Sequence, residues 1–205
     1  MTADCALIVF AKAPLPGFAK TRLIPALGAA GAARLAKRLL RHAVAQAVAA
    51  EVGPVTLCCT PDTGHPAFAR LATEHGIGLT LQGDGDLGAR MDRALTQALQ
   101  RHPAALLIGT DAPGLDAALL RQARASLRDH DAVFGPALDG GYTLVGLNRP
   151  APGLFDAMAW STSTVMAETR ARLHRLALRH AELACLADID EPADLGHLPP
   201  GWITA

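Results

Sequence analysis

Charged side chains in two loops of this chain have the types and spacing that could act on a phosphate-bearing ligand. In the first of these loops, Asp111 is the first charge after the apolar run 104–108, and Gly109 and Gly114 stand close to it. Glycines allow a ligand to approach closely, and carboxylate oxygens are the donors that a hard divalent cation prefers. Asp111 could instead cap the following helix, but Asp116 lies nearer to that helix start and is the better candidate.

Lysine is rare in this chain, and its distribution points to the second loop. Lys12 and Lys20 lie in one loop rich in proline and glycine, and apart from Lys37 all other basic residues are arginine. An ammonium group is a compact charge with three donors, so this loop is a candidate phosphate site to which Arg22 could add a donor. The alternative is a solvated surface loop. The spacing does not match a Walker-type phosphate loop.

Residues 83–88 match the G-x-G-x-x-G pattern of dinucleotide-binding proteins. A NAD(P)-linked oxidoreductase is therefore one alternative. It is disfavoured because Asp84 and Asp86 would repel a pyrophosphate at the helix N-terminus. Gln82, just before this loop, has an amide that could recognise the edge of a base.

Two further acidic segments have both a functional and a structural interpretation. Asp139 precedes two glycines, so it could serve a ligand or simply form a hairpin turn. Asp188 and Asp190 lie on one side of an extended chain, and one of them could join Asp111 on a divalent ion. Alternatively, Asp190 and the residues after it form an ordinary helix start.

The elements that must position these residues alternate between strand and helix. The apolar run 104–108 has no alternation, which indicates a strand buried on both faces. The pattern predicts a mainly parallel sheet with helices on both faces, and a locally antiparallel strand at 142–147, where no room remains for a crossover helix. Strands are predicted at 5–10, 55–60, 77–82, 104–108, 132–134, 142–147 and 181–186, and helices at 29–50, 66–74, 88–101, 117–127 and 165–173. We expect one domain over residues 1–205.

The composition excludes several classes of partner. Nineteen basic and nineteen acidic residues give a formal net charge of zero, so no global field attracts nucleic acid or a membrane surface. Neither a basic leader nor an apolar span is present, and we expect a cytoplasmic protein. The four cysteines show no metal spacing and are expected to be small buried residues in strands, with Cys58 and Cys59 on opposite faces. The oligomeric state cannot be read from the sequence.

Five ordered motifs stand out along the chain: AKAPLPGFAKTRL at 11–23, GTDAPGL at 109–115, GPALDGGYTLVGL at 135–147, WSTSTV at 160–165 and DIDEPADL at 188–195. Together they resemble the motifs of one family in the GT-A, or nucleotide-diphospho-sugar transferase, superfamily. Members of this family are poorly characterised and are classed as glycosyltransferases. Some are linked to arsenosugar biosynthesis or to radical-SAM and selenium-associated gene neighbourhoods. More distantly, the chain is similar to molybdenum-cofactor and phospholactate guanylyltransferases.

This resemblance implies a three-layer, Rossmann-like GT-A fold and assigns roles to particular positions. Mg²⁺ or Mn²⁺ would be held by Asp111 and Asp190, and Lys20 would face the phosphates. The base would meet Phe10, Ala11, Lys12, Gln82 and Gly83. The sugar or acceptor would be bordered by Asp139, Gly140, Gly141 and Trp160.

We therefore expect a divalent-metal-dependent transferase that acts on a nucleotide or nucleotide sugar and a small-molecule acceptor. The leading hypothesis is glycosyl transfer from a nucleotide diphosphate sugar, with Lys20 and Arg22 steadying the departing diphosphate and Asp139 orienting or deprotonating an acceptor hydroxyl. The alternative is nucleotidyl transfer from a triphosphate to a phosphorylated small molecule, guanylyl transfer being one case. The sequence does not choose between them.

Overall fold

A computed structural model describes residues 5–203 and contains one seven-stranded sheet. The strands follow the order β3-β2-β1-β4-β6-β5-β7 across the sheet. The strands are β1 (Ala6–Lys12), β2 (Val55–Thr60), β3 (Gly78–Leu81), β4 (Ala105–Ile108), β5 (Ala132–Pro136), β6 (Tyr142–Leu147) and β7 (His180–Glu182). The helices are α1 (Ile24–Ala49), α2 (Pro66–His75), α3 (Leu87–Leu99), α4 (Ala117–Ser126) and α5 (Val165–Arg175). Short 3-10 turns cover Thr21–Leu23 and Pro192–His197.

The sheet is parallel except at β6, as the sequence predicted. The strands β1, β2, β3 and β4 pair in parallel, and β7 pairs in parallel with β5. The strand β6 runs antiparallel to both of its neighbours, β4 and β5. It follows β5 by a short turn, which can join antiparallel but not parallel strands. The beginning of β6 therefore lies beside the end of β4.

Helices cover both faces of the sheet because the central strands are apolar on both sides. On one face, Leu7 and Val9 of β1 pack with residues of α1, α2 and α4. On the other face, Ile8 and Phe10 pack with residues of α3 and α5. The three-layer α/β arrangement is the predicted fold class.

The first helix begins earlier than the predicted start at residue 29. It starts at Ile24, with Pro25 in its first turn, and its helical geometry is interrupted at Gly28 (φ 66°, ψ 164°). Proline suits the first turn because its nitrogen has no hydrogen to leave unpaired there. The sequence pattern missed this turn because it starts before the run of small residues that follows Gly28.

Cys58 and Cys59 of β2 confirm the prediction, Cys5 is buried but lies one residue before β1, and Cys185 corrects the prediction. Cys5, Cys58 and Cys59 are buried, and Cys58 and Cys59 belong to the apolar clusters on opposite faces of the sheet. Burial raises the pKa of the Cys58 thiol and raises that of Cys59 to about 12, so both stay protonated. Cys185 is exposed and lies beyond the end of β7, so its predicted burial in a strand is wrong. The strand ends at Glu182 because pairing with β5 stops there.

Asp131 joins the start of β5 to the segment that enters β7. Its Oδ2 accepts a hydrogen bond from the Arg179 backbone nitrogen at 2.9 Å, and Arg149 Nε lies 3.4 Å from Oδ1. The Arg179 hydrogen bond, reinforced by Arg149 and opposed by burial, lowers the pKa of the Asp131 carboxyl below its ordinary value of 3.8.

We predict that Asp131→Asn lowers the free energy of unfolding by about 1–2 kcal/mol at neutral pH. Because the folded pKa is depressed, this stabilisation is complete above pH 4 or so and is lost as the pH falls through the folded pKa. Urea unfolding of both proteins between pH 7 and pH 3 measures the difference. The exposed neighbour Asp129, changed to asparagine, is the control and should unfold like the wild type. A constant gap at every pH would contradict this account.

Candidate functional site

A cavity of about 670 Å³ opens at the carboxyl ends of β1 and β4. The chain leaves β1 toward β2 on one side of the sheet, whereas the chain that leaves β4 continues to β5 on the other. Such a divergence opens a crevice at the sheet edge, where ligands of open α/β sheets commonly bind. Charged residues of the lining are Lys12, Lys20, Arg22, Arg90, Asp111 and Asp190.

The ammonium group of Lys20 joins the two acidic residues predicted to meet at this site. Lys20 Nζ lies 2.6 Å from Asp111 Oδ1 and 2.8 Å from Asp190 Oδ1. The Lys20 side chain is 7% exposed, whereas those of Asp111 and Asp190 are 44% and 42% exposed. Burial alone would lower the pKa of Lys20, but the two carboxylates outweigh it and raise that pKa above its ordinary value. Lys20 is therefore charged, and its ammonium group and the two carboxylates form an ion triad that holds the site together.

The backbone at Lys20 has a left-handed conformation, with φ 52° and ψ 44°. A residue with a Cβ rarely adopts this conformation, and it costs about 1–3 kcal/mol. The next residues form the 3-10 turn Thr21–Leu23, and Leu23 is fully buried. Lys20 thus lies between a loop and the buried Leu23, and this strained backbone directs the Lys20 side chain toward Asp111 and Asp190.

Asp190 reaches Asp111 because the preceding residue, Ile189, is anchored twice. Its side chain is fully buried in an apolar cluster with Leu23 and residues of α1. Its backbone nitrogen donates to the Asp111 carbonyl at 2.9 Å. The backbone nitrogens of Asp190 and Glu191 both donate to Asp194 Oδ2, at 3.0 and 2.7 Å. Long-range packing and a local cap therefore place the mid-chain acid beside the C-terminal one.

Asp111 does not cap α4, so the structural alternative for this residue is ruled out. The cap is Asp116, whose Oδ1 accepts from the Leu119 backbone nitrogen at 2.9 Å. Asp111 is left to face the cavity, where the Thr110 hydroxyl lies 3.2 Å from its Oδ1.

Further cations surround the same cavity. Lys12 stands over the Phe18 ring with Nζ 4.2 Å from its centre, and Arg22 Nη1 lies 3.8 Å from Glu191 Oε1. Arg90 of α3 also lines the cavity, and its Nε donates to the Gly85 carbonyl at 2.9 Å. The sequence interpretation missed Arg90, although its place one turn into the helix after a glycine-rich loop was a usable signal. Four cations around one cavity suit a ligand that carries several negative charges.

The loop 83–88 forms a helix cap and not a phosphate cradle. Asp86 Oδ1 accepts from the Ala89 backbone nitrogen at 2.8 Å, so the protein's own carboxylate occupies the N-terminus of α3. Arg93 donates to the carbonyls of Gln82 and Asp84, at 2.7 and 2.9 Å. This geometry removes the basis for the dinucleotide interpretation, since a pyrophosphate would have to displace Asp86.

Among the predicted base-binding residues, Phe10, Lys12 and Gln82 line the cavity, whereas Ala11 and Gly83 do not. The Gln82 side chain is fastened by its own amide, whose nitrogen lies 3.4 Å from the Ala11 carbonyl and 3.1 Å from that of Cys58. Both partners are acceptors, so the NH₂ group must face them. The side-chain oxygen of Gln82 is the group that remains for a ligand.

The residues predicted to border a sugar or acceptor lie outside the cavity lining. Asp139, Gly140 and Gly141 form the hairpin turn between β5 and β6, with Asp139 Oδ1 accepting from the Gly141 nitrogen at 2.7 Å. Trp160 packs edge-on against Tyr142, with ring centres 6.3 Å apart, and Tyr142 itself lines the cavity. The turn lies beside the C-terminal segment, since the Leu138 nitrogen donates to the Leu186 carbonyl at 3.0 Å, and burial and the nearby Asp139 carboxylate raise the pKa of Asp188 to about 6. The turn is therefore a neighbour of the site.

The donor set fits a hard divalent cation. Asp111 and Asp190 direct one oxygen each at a single positive atom, and both side chains remain partly open to solvent. Within residues 5–203, no group of three or more His, Cys, Asp or Glu residues could hold a metal. Two carboxylates leave coordination positions for water and phosphate oxygens, which is the usual arrangement for Mg²⁺ with a phosphorylated substrate.

Comparison with known proteins shows that this chain has the nucleotide-diphospho-sugar transferase-like fold. A Desulfovibrio desulfuricans G20 structure, named a "putative nucleotide-diphospho-sugar transferase", is 29% identical with a TM-score of 0.85, covering 95% of this chain and 85% of that one. The chain belongs to the family described as "Uncharacterized protein conserved in bacteria (DUF2064)", whose model matches residues 39–162. No curated protein matches it by sequence.

Two more distant structures share the fold. The inositol-1-phosphate CTP transferase of T. maritima is 11% identical with a TM-score of 0.62, covering 97% of this chain and 93% of that one. The Rv0371C complex with manganese from Mycobacterium tuberculosis H37Rv is 17% identical with a TM-score of 0.53, covering 95% and 97%. The expected superfamily is confirmed, and so is the expected class of enzyme, a transferase. No helix among the described residues has the length and apolar character needed to cross a membrane.

We predict that Ile189→Ala lowers the free energy of unfolding by about 2–4 kcal/mol, because it leaves a cavity in the cluster that anchors the C-terminal segment. Amide hydrogen exchange should also accelerate at residues 188–194. Ile203, which is 44% exposed, supplies the matched control: Ile203→Ala should stay within about 0.5 kcal/mol of the wild type. Equal effects of the two substitutions would show that Ile189 does not anchor the segment.

Proposed function

We propose that this protein is a divalent-metal-dependent transferase that moves a glycosyl group from a nucleotide diphosphate sugar to a small acceptor. The observation that carries the proposal is that Asp111 and Asp190 both contact the Lys20 ammonium group, at 2.6 and 2.8 Å, in a cavity at the carboxyl edge of the sheet. The 29% identity over 95% of the chain to the Desulfovibrio structure supports it.

Asp111 and Asp190 would hold Mg²⁺ or Mn²⁺ in this proposal. When bound, the ion supplies charge neutralisation for the diphosphate that leaves the sugar. The manganese complex of the Mycobacterium tuberculosis relative is consistent with such a site. Asp111 lies mid-chain at the end of β4 and Asp190 lies near the C-terminus, so the ion would also tie the C-terminal segment to the sheet.

The cations of the cavity would bind and orient the phosphates. Lys20 and Arg22 stand next to the acidic pair, and Lys12 and Arg90 stand in the same lining. Donors that are already in place where negative charge develops lower the barrier without reorganisation. Phe10 and Gln82 lie in the same lining and would contact the base.

Asp139 is the candidate to orient or deprotonate the acceptor hydroxyl. Its carboxylate lies in an exposed turn at the rim, near Asp188, and one of its oxygens is held by the Gly141 nitrogen. The other oxygen is free of that hydrogen bond and could accept from a hydroxyl. Gly140, Gly141 and Trp160 would shape this side of the site.

A second function, nucleotidyl transfer from a triphosphate to a phosphorylated acceptor, is favoured by two observations. Four cations line one cavity, which suits the larger negative charge of a triphosphate. The T. maritima relative is named a CTP transferase. Lys20 and the neighbouring cations would then steady the charge on the transferred and departing phosphates.

One experiment separates the two functions. The protein is incubated with Mn²⁺ and, separately, with a panel of nucleoside triphosphates and a panel of nucleotide sugars, each with a mixture of small hydroxyl and phosphate acceptors. Release of a nucleoside diphosphate from a nucleotide sugar supports glycosyl transfer, and release of pyrophosphate from a triphosphate supports nucleotidyl transfer. Absence of both products under all conditions would contradict the proposal.

We predict that Asp190→Asn abolishes the Mn²⁺-dependent part of the thermal stabilisation produced by the best-bound nucleotide and lowers turnover about 100-fold or more. The loss follows from removal of one of two anionic ligands. Differential scanning fluorimetry with and without Mn²⁺ measures the binding effect, and product release measures turnover. Asp129→Asn, at an exposed residue that does not line the cavity, should behave like the wild type. A normal metal response in Asp190→Asn would exclude this residue as a ligand.

A further inference from the structure

The ammonium group of Lys20 occupies the position that the proposed function gives to a divalent ion. Its Nζ lies 2.6 Å from Asp111 Oδ1 and 2.8 Å from Asp190 Oδ1, so it contacts one oxygen of each carboxylate. A cation bound by those same two oxygens would lie within contact distance of the ammonium group. The lysine and the ion therefore compete for one place.

The rest of the cavity opposes a simple exchange of one cation for the other. Lys12, Arg22 and Arg90 also line it, so an ammonium group released from the acidic pair would move among like charges. A free divalent ion would add two more positive charges beside it. Both effects raise the free energy of the metal-bound state when no anion is present.

A diphosphate removes this obstacle. Its oxygens offer the released ammonium group new acceptors, and the four-carbon stem of lysine lets the charge move while the backbone stays in place. The acids are accessible to such a ligand, since the side chains of Asp111 and Asp190 are 44% and 42% exposed.

We infer that Lys20 is a displaceable counter-ion, which makes the site select a metal–nucleotide complex over the free divalent ion. This inference rests on the proposed function, because it takes Asp111 and Asp190 as the metal ligands. The nucleotide and the ion each raise the affinity of the site for the other, and by linkage the two factors are equal. Lys20 transmits this coupling by moving from the carboxylates to the phosphates.

The test measures metal binding without turnover. Mn²⁺ is titrated into the full-length wild type and into Lys20→Met, and the free aqueous ion is followed by electron paramagnetic resonance. Without nucleotide, Lys20→Met should bind Mn²⁺ about tenfold more tightly or better, because the competing charge is gone. The matched control is Lys37→Met, which removes an exposed charge that does not line the cavity, and should change the affinity less than about twofold.

The coupling is measured with the same proteins. Isothermal titration of CDP, UDP and GDP, with and without Mn²⁺ and corrected for complexes formed in solution, gives the factor by which the ion strengthens nucleotide binding. That factor should fall about tenfold in Lys20→Met. Equal Mn²⁺ affinity in a folded Lys20→Met and the wild type would overturn the counter-ion role and leave the proposed function standing. Failure of every variant to bind Mn²⁺, alone or with nucleotide, would overturn the proposed function and this inference with it.

A measurement on the wild type keeps the inference testable if Lys20→Met does not fold. Reductive dimethylation, followed by mass spectrometry, reports the reactivity of each of Lys12, Lys20 and Lys37. Without metal, Lys20 should react more slowly than the exposed Lys37, because its side chain is 7% exposed and paired with two carboxylates. Occupancy of the site by Mn²⁺ should accelerate labelling of Lys20 and leave Lys37 unchanged. An unchanged Lys20 rate at full occupancy would overturn the inference.

Discussion

The arrangement of the site depends on neutralising one nearly enclosed ammonium group. An unpaired charge in such a position costs several kcal/mol, and a single carboxylate would leave much of that cost uncompensated. Asp111 and Asp190 together hold the Lys20 side chain charged, as the raised pKa of Lys20 indicates. The requirement works in both directions, because two carboxylates brought this close would repel each other without a cation between them. The site is therefore stable only with a positive charge at its centre.

Apolar packing outside the site brings Lys20, Asp111 and Asp190 together. Leu23 and Ile189 are both fully buried in one apolar cluster. Leu23 lies three residues after Lys20, and Ile189 directly precedes Asp190. The hydrogen bond from Ile189 to the Asp111 carbonyl then sets the register of the C-terminal segment against the end of β4. Apolar burial thus contributes the free energy that the charged groups alone could not. It also offsets the strained backbone at Lys20.

Much of this fold could be predicted because the determining signals are local. The unbroken apolar run before Asp111 indicated a strand covered on both sides, and the short spacing between β5 and β6 required an antiparallel pair. The choice between Asp111 and Asp116 as a cap could be made from their distance to the helix start. Cys185 was misplaced because a short apolar stretch does not show where strand pairing ends, which here is decided by β5.

The site was predicted less completely, because its contacts are not local. Lys20 and Asp190 were each candidates on their own. They lie 170 positions apart in the sequence, and no spacing rule reveals that Lys20 donates a hydrogen bond to Asp190. Arg90 was missed because α3 had to be docked on the sheet before its first turn could line the cavity. Asp139 illustrates the reverse problem. Its motif is compatible with both a turn and a binding role, and the turn geometry is seen directly.

The antiparallel strand β6 divides the sheet edge into two halves that are built differently. One half is formed by β1, β4 and the Lys20 loop, whose positions are held by crossover helices and the core. The other half is the end of a hairpin, where Tyr142 and Thr143 enter the cavity directly after an exposed turn. That turn is fixed from outside the sheet, because the Leu138 nitrogen donates to the Leu186 carbonyl at 3.0 Å and the Met166 nitrogen donates to the Gly140 carbonyl at 2.8 Å. The wall formed by β6 therefore takes its position from the C-terminal segment and the start of α5, whereas the Lys20 loop takes its position from the apolar cluster around Leu23.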